Sequence, residues 1–192
     1  MSALALVLTA ALAATAEGRF KETEVELSFA TGYGGRVSLG GMAGIGSRWH
    51  AWGGQKLNGG IEVSLLAGYQ NEPYSFTAAR FLPNEITGSN HRVQALVTVG
   101  HGLRISRFTV GTHLFLGWTN LTVDGRLKNE ALGIDELVDG SASELSFGFV
   151  LHARFRLTDR LSLAGRFFLP VPNFVLGVNS WFVGTLGLSV ML

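Results

Sequence analysis

The sequence predicts an all-β protein: an antiparallel up-and-down transmembrane β-barrel of about eight strands. Three observations lead there. Apolar and weakly polar residues alternate with a period of two along most of the chain, which in an extended backbone sends one set to each face of a sheet. Only 15% of the 192 residues are charged, against about 25% in an ordinary soluble domain. Although 47% of the chain is hydrophobic, no apolar run beyond the N-terminus reaches the length of about 18 residues that a membrane helix needs.

The elements follow in order. Residues 3–12 are apolar and rich in Ala and Leu, and Ala13-Ala14-Thr15-Ala16 precedes the polar Glu17-Gly18-Arg19. That is the layout of a cleaved secretory signal, with cleavage expected after Ala16. Residues 1–16 are read as signal peptide and 17–192 as one barrel domain. In the first strand Val25, Leu27, Phe29, Thr31 and Tyr33 share a face opposite Glu24, Glu26, Ser28 and Ala30. The second is expected over residues 41–52, with Ile45, Ser47, Trp49 and Ala51 opposite Arg48 and His50. Ile61, Val63, Leu65, Ala67 and Tyr69 oppose Glu62, Ser64 and Leu66 in the third. Val93 to Val99 oppose Arg92 to Gly100 in the fourth. The fifth sets Phe108, Val110, Leu114, Leu116 and Trp118 against Thr109, Gly111, His113 and Phe115. Leu145, Phe147, Phe149, Leu151 and Phe155 oppose Ser146, Gly148, Val150, His152, Arg154 and Arg156 in the sixth. A short seventh spans 160–169, and the eighth, over 181–192, carries Leu186, Leu188, Val190 and Leu192 on one face.

Connections alternate as a membrane barrel requires, short on one side and longer on the other. The short ones are 53–60, the few residues around Ser106, and Thr158-Asp159-Arg160; the longer ones are 71–90, 124–143 and 170–180, with the short connection at 34–40 as the exception. The strongly apolar face carries no charge in mid-strand, where a basic residue would cost about 2 to 4 kcal/mol at a bilayer midplane. Its partner face is mostly Gly, Ser, Thr and Ala with scattered Arg, His and Glu, the composition of a narrow packed lumen and not of a water-facing surface. The apolar rows therefore face lipid. Tyr33, Tyr69 and Trp118 at one level, and Trp49, Phe108 and Phe155 at the other, form the expected interfacial girdles.

This pattern, running from Glu22 to Leu192, resembles the small bacterial outer-membrane β-barrel families of the OmpA and OmpX type. The chain departs from them at its end, where Leu192 stands in place of the usual terminal aromatic residue. The resemblance implies residence in a bacterial outer membrane as a monomer, both termini periplasmic. It implies contact with outer-membrane lipid and lipopolysaccharide, and insertion by the barrel-assembly machinery. A net charge of +1 with no basic cluster excludes nucleic acid as a partner. The absence of cysteine excludes disulfides and thiolate chemistry.

Eight strands leave an interior that side chains just fill. Glu24, Glu26, Arg48, Glu62, Arg154 and Arg156 fall on inward faces near one end, with Arg48 between acidic neighbours. Buried charges persist when paired, so an internal ion-pair cluster is expected. His113 and His152 fall inward on adjacent strands, with no third metal ligand apparent, and no metal or cofactor is expected. No His and Ser two apart with an acid on the next strand is apparent either, so no catalytic set is assigned. The glycine-rich run at 40–46 lacks the Lys-Ser/Thr and helix of a phosphate loop. Phe76, Phe81 and Phe174 in the long connections are candidate binding tips. The expected function is non-enzymatic, structural or surface-binding through those connections. The alternatives are a membrane-embedded enzyme that modifies lipid, such as a lipid A acyl hydrolase or transferase, and a narrow ion channel.

Overall fold

The structure is a computed structural model that describes residues 22–33, 37–53, 56–78, 84–171 and 182–192. The segment read as a signal peptide lies outside the described residues. Eight strands run β1 (Glu22–Tyr33), β2 (Val37–Gly53), β3 (Leu57–Ala78), β4 (Asn84–Ile105), β5 (Phe108–Asn129), β6 (Ile134–Arg156), β7 (Leu161–Pro170) and β8 (Phe182–Met191). Each pairs antiparallel with its neighbour in sequence, and β1 pairs with β8 to close the ring.

The alternation fixes the sidedness. Leu27, Leu114 and Leu145 are 71%, 61% and 64% exposed on the outer surface, while Glu26, His113 and Ser146 beside them are buried. The girdle residues Tyr69, Trp118, Trp49, Phe108 and Phe155 all point outward. An exterior of Leu, Val and Phe around a polar interior is the arrangement that hydrocarbon demands, and at the levels where the ring closes each strand is hydrogen-bonded to both neighbours. The protein is therefore a transmembrane β-barrel of eight strands.

The lumen is layered. Near the short turns it holds the charged residues, and further along each strand lies an apolar layer of Ala30, Met42, Leu66, Leu96, Phe115, Val150, Phe168 and Val183. Phe115 and Phe168 meet edge to face, with centroids 5.8 Å apart. Above them sit buried Gln70, Gln94, Thr119 and Ser146.

Two features differ from the sequence reading. First, 71–78, 84–90, 124–129 and 134–143 are strand and not loop. The β3–β4 ladder continues to Ala78 opposite Asn84, the β4–β5 ladder to Glu85 opposite Lys128, and the β5–β6 ladder to Asn129 opposite Ile134. The β2–β3 ladder ends at Leu39 opposite Asn71, and the β6–β7 ladder at Gly148 opposite Pro170. Four strands therefore rise beyond the rest as a sheet whose outer edges, 72–78 of β3 and 134–146 of β6, have no ladder partner on that side among the described residues. At about 3.3 Å per residue, the β6 edge runs roughly 40 Å. Second, the register of β2 shifts between His50 and Trp52. This bulge turns Trp52 to the exterior, where its ring covers Gly59 and stacks on His101 with centroids 6.3 Å apart. The same ladder continues to Gly53 opposite Asn58, so the connection read as 53–60 is only the residues between Gly53 and Leu57.

Candidate functional site

The short-turn half of the lumen holds the densest chemistry, and strand register decides who meets whom. Arg48 on β2 donates from Nη1 to Glu62 Oε1 at 3.1 Å, and from Nη2 to Asn58 Oδ1 at 2.9 Å and the Gly102 carbonyl at 3.2 Å. Arg166 on β7 grips both oxygens of Glu26, at 2.7 to 3.2 Å. Arg154 pairs with Glu24 across the lumen. Glu22 receives Arg104, with Nη1 to Oε1 at 2.8 Å, and Arg156 at 3.4 Å. All six sequence-assigned charges lie in this network, and Arg154 and Arg156 join it from across the lumen. Arg48 meets Glu62 alone of its three acidic candidates, while Glu24 and Glu26 reach β6 and β7. Three members have no assignment from sequence: Glu22, Arg104 and Arg166. Arg104 lies beyond the expected end of the fourth strand, and Arg166 falls on the short seventh, whose faces the pattern leaves unassigned.

His113 and His152 do approach, with ring centroids 4.5 Å apart. The expectation that no third ligand accompanies them is corrected by the structure. Glu62 Oε2 lies 3.0 Å from His152 Nε2 and 3.3 Å from His113 Nε2. Glu62 stands on β3 and the histidines on β5 and β6, so the carboxylate must reach across β4. It does so because β4 presents Gly100 and Gly102 there, and sequence spacing alone does not reveal that gap.

A second cluster lies on the outward face at the opposite rim. Ser89 Oγ is 2.9 Å from His91 Nε2, Tyr69 Oη is 2.7 Å from His91 Nδ1, and Asp124 Oδ2 is 3.4 Å from His91 Nε2. Ser89 and His91 are two apart on β4, and Asp124 on β5 is the ladder partner of Ser89. The expectation that no such constellation exists is thereby corrected. Apolar alternation in the fourth strand stops at Arg92 and makes 71–90 read as a loop, whereas the strand begins at Asn84.

Of the binding tips, Phe76 lies on β3 opposite Ile86, within the raised sheet and not at a loop tip. Phe81 and Phe174 lie outside the described residues. The acidic group at 135–139 is on β6, where Asp135 accepts from Arg126 Nε at 2.5 Å and Nη2 at 2.7 Å. Arg126 holds that carboxyl below its ordinary range.

No protein-family model matches the chain, and no curated protein matches it. Solved structures resemble it in fold. A major outer membrane protein of Thermus thermophilus is 13% identical, with 88% of this chain and 99% of that one covered and a TM-score of 0.58. Ail, the attachment invasion locus protein of Yersinia pestis, solved with the heparin analogue sucrose octasulfate, is 10% identical over 89% and 97% of the two chains, with a TM-score of 0.46. The N-terminal β-barrel domain of Pseudomonas aeruginosa OprF is 9% identical over 88% and 97%, with a TM-score of 0.42. At these identities the likeness, carried by the Thermus protein, concerns the fold.

Proposed function

We propose that this chain is a non-enzymatic barrel of a bacterial outer membrane, with both termini periplasmic and a closed lumen, that works through the sheet raised by β3, β4, β5 and β6. The observation that carries this reading is the outer edge of β6 at residues 134–146, which has no ladder partner among the described residues. An open strand edge offers a row of main-chain donors and acceptors to an extended segment of a partner. Leu137, 84% exposed, and the acidic Glu136 and Asp139 flank it, which suits an extended segment with apolar and basic side chains. The filled lumen supports a scaffold over a conduit, because the ionic layer and the apolar layer above it occupy successive levels.

The chain has no cysteine of its own, so single cysteines report topology cleanly. Leu137→Cys is expected to react with a membrane-impermeant maleimide on intact cells, and Asp159→Cys only after the outer membrane is permeabilised. The opposite labelling pattern would overturn the orientation, and a large steady conductance in planar bilayers would overturn the closed lumen.

The cluster of Ser89, His91, Tyr69 and Asp124 favours one other reading, a hydrolase of acyl esters at the lipid interface. A serine hydroxyl against an imidazole, with an acid nearby, is the minimal nucleophile and base. Mass spectrometry of lipid A and phospholipids decides between them. Species that appear with the unmodified protein and vanish with Ser89→Ala establish the enzyme, and unchanged profiles dismiss it.

A further inference from the structure

Three donor atoms, Glu62 Oε2, His113 Nε2 and His152 Nε2, lie within 4.8 Å of one another in the lumen. The two distances from the carboxylate, 3.0 and 3.3 Å, match the edge of a ligand tetrahedron around an ion with bonds of about 2.0 to 2.1 Å, roughly 3.3 Å. Both imidazole nitrogens are buried, and although Glu62 Oε2 lies within ion-pair distance of each, neither ring is aligned on it for a well-directed hydrogen bond. Burying polar nitrogens with poorly directed contacts is unfavourable, and a shared ion bound by their lone pairs and by the carboxylate removes that cost. From this geometry we propose that Glu62, His113 and His152 bind one late first-row divalent cation, Zn2+ foremost, and so tie β3, β5 and β6 together inside the barrel.

The seat is built for these side chains. A Cβ at Gly100 would stand 2.3 Å from His113 Cδ2, one at Gly102 2.4 Å from Glu62 Oε1, and one at Gly111 2.4 Å from His152 Nε2. Each ligand lies over a glycine, and any larger residue would displace it. Outer contacts orient the ligands as metal sites require. Arg48 holds Glu62 Oε1 and leaves Oε2 turned to the imidazoles, and Thr98 Oγ1 lies 3.3 Å from His113 Nδ1, which leaves Nε2 as the coordinating nitrogen.

The ion class follows from the donors and the surrounding charge. Two neutral imidazoles and a single carboxylate oxygen suit Zn2+, Ni2+ or Cu2+, whereas Ca2+ and Mg2+ require about six oxygen ligands. Four glutamates, Glu22, Glu24, Glu26 and Glu62, face five arginines, Arg48, Arg104, Arg154, Arg156 and Arg166, in this half of the lumen. The layer therefore repels an ion held by charge alone, and binding depends on the imidazole nitrogens.

The test uses the full barrel, stripped with chelator and then loaded with Zn2+ or Co2+ in two ways, added to the folded protein and present during refolding, because the site is enclosed. One equivalent of Zn2+ per chain is expected to survive desalting, and Co2+ is expected to give the intense visible absorption of a tetrahedral site. His113→Asn with His152→Asn is expected to weaken binding at least about a hundredfold, beyond the effect of an outer contact. His101→Asn, which alters an exposed imidazole, leaves the stoichiometry unchanged. Heat-modifiable gel mobility verifies that each variant is folded. If the double variant fails to fold, the Co2+ spectrum of the unmodified barrel decides, and only weak octahedral absorption overturns the site. The proposal is equally overturned by less than a tenth of an equivalent of metal under both loadings, or by undiminished binding in the folded double variant.

Discussion

Replacing Arg166 by Met isolates the energetics of the buried ionic layer. Arg166 is 5% exposed and Glu26 is 3% exposed, and three contacts of 2.7 to 3.2 Å join them. Met keeps much of the volume but leaves the carboxylate in the lumen without its guanidinium. Breaking a buried pair from one side costs about 3 to 5 kcal/mol, because the remaining charge has neither partner nor solvent. With a urea m-value of about 2.5 kcal/mol/M, the unfolding midpoint is expected to fall by about 1 to 2 M. Replacing both partners, Glu26→Leu with Arg166→Met, removes the stranded charge and is expected to recover most of that loss. The assay is urea unfolding in detergent micelles, read by tryptophan fluorescence and by heat-modifiable mobility. An unshifted midpoint for Arg166→Met, or a double variant no better than the single, would refute the pairing.

Three further outcomes follow from other layers. Leu27→Lys on the lipid-facing surface is expected to destabilise the barrel in vesicles by about 2 to 4 kcal/mol; a neutral result would place that surface in water. Phe168→Ala opens the apolar layer and is expected to cost about 3 to 5 kcal/mol, while raising single-channel conductance above that of the unmodified protein. In the raised sheet Arg126 keeps the Asp135 carboxyl below its ordinary value of 3.8. The stabilisation is thus present above that pH and lost as pH falls through the lower folded value. The carboxyl-carbon NMR titration should have its midpoint below 3.8 and move back toward it in Arg126→Ala.

Where lipid presses on one face and a packed lumen on the other, the chain's alternation marks strands and sidedness residue by residue, as in β1 and the lower half of β6. That signal fades where both faces of a strand are wet. Residues 134–144 of β6 are exposed or half-exposed throughout, so no apolar row marks them as strand. The ladders that extend β3 to β6 are therefore invisible in the sequence; Ser89 and His91 stand two apart there, but nothing shows that they share a strand face with Asp124 beside them. The bulge before Trp52 is likewise a two-versus-one pairing that no local spacing announces. Inside the barrel the charged residues are legible but their partners are not. Stagger between strands sets who faces whom across a lumen, so Glu24 meets Arg154 instead of Arg48. Glu62 reaches both histidines only because of the glycines that face the lumen on β4.

The seam between β1 and β8 sets the order of assembly. It places Glu24 opposite Met191, while every other ladder joins strands adjacent in the chain. Hairpins can form as the chain is delivered, but the ring waits for its final segment, since contacts between distant residues are the slowest to close. The bridges from β1 to β6 and β7 wait with it. A chain truncated before Phe182 would keep its hairpins yet enclose nothing. Its carboxylates and guanidiniums would stay hydrated, and its Leu and Phe rows would lie open to whichever chaperone or protease arrives first.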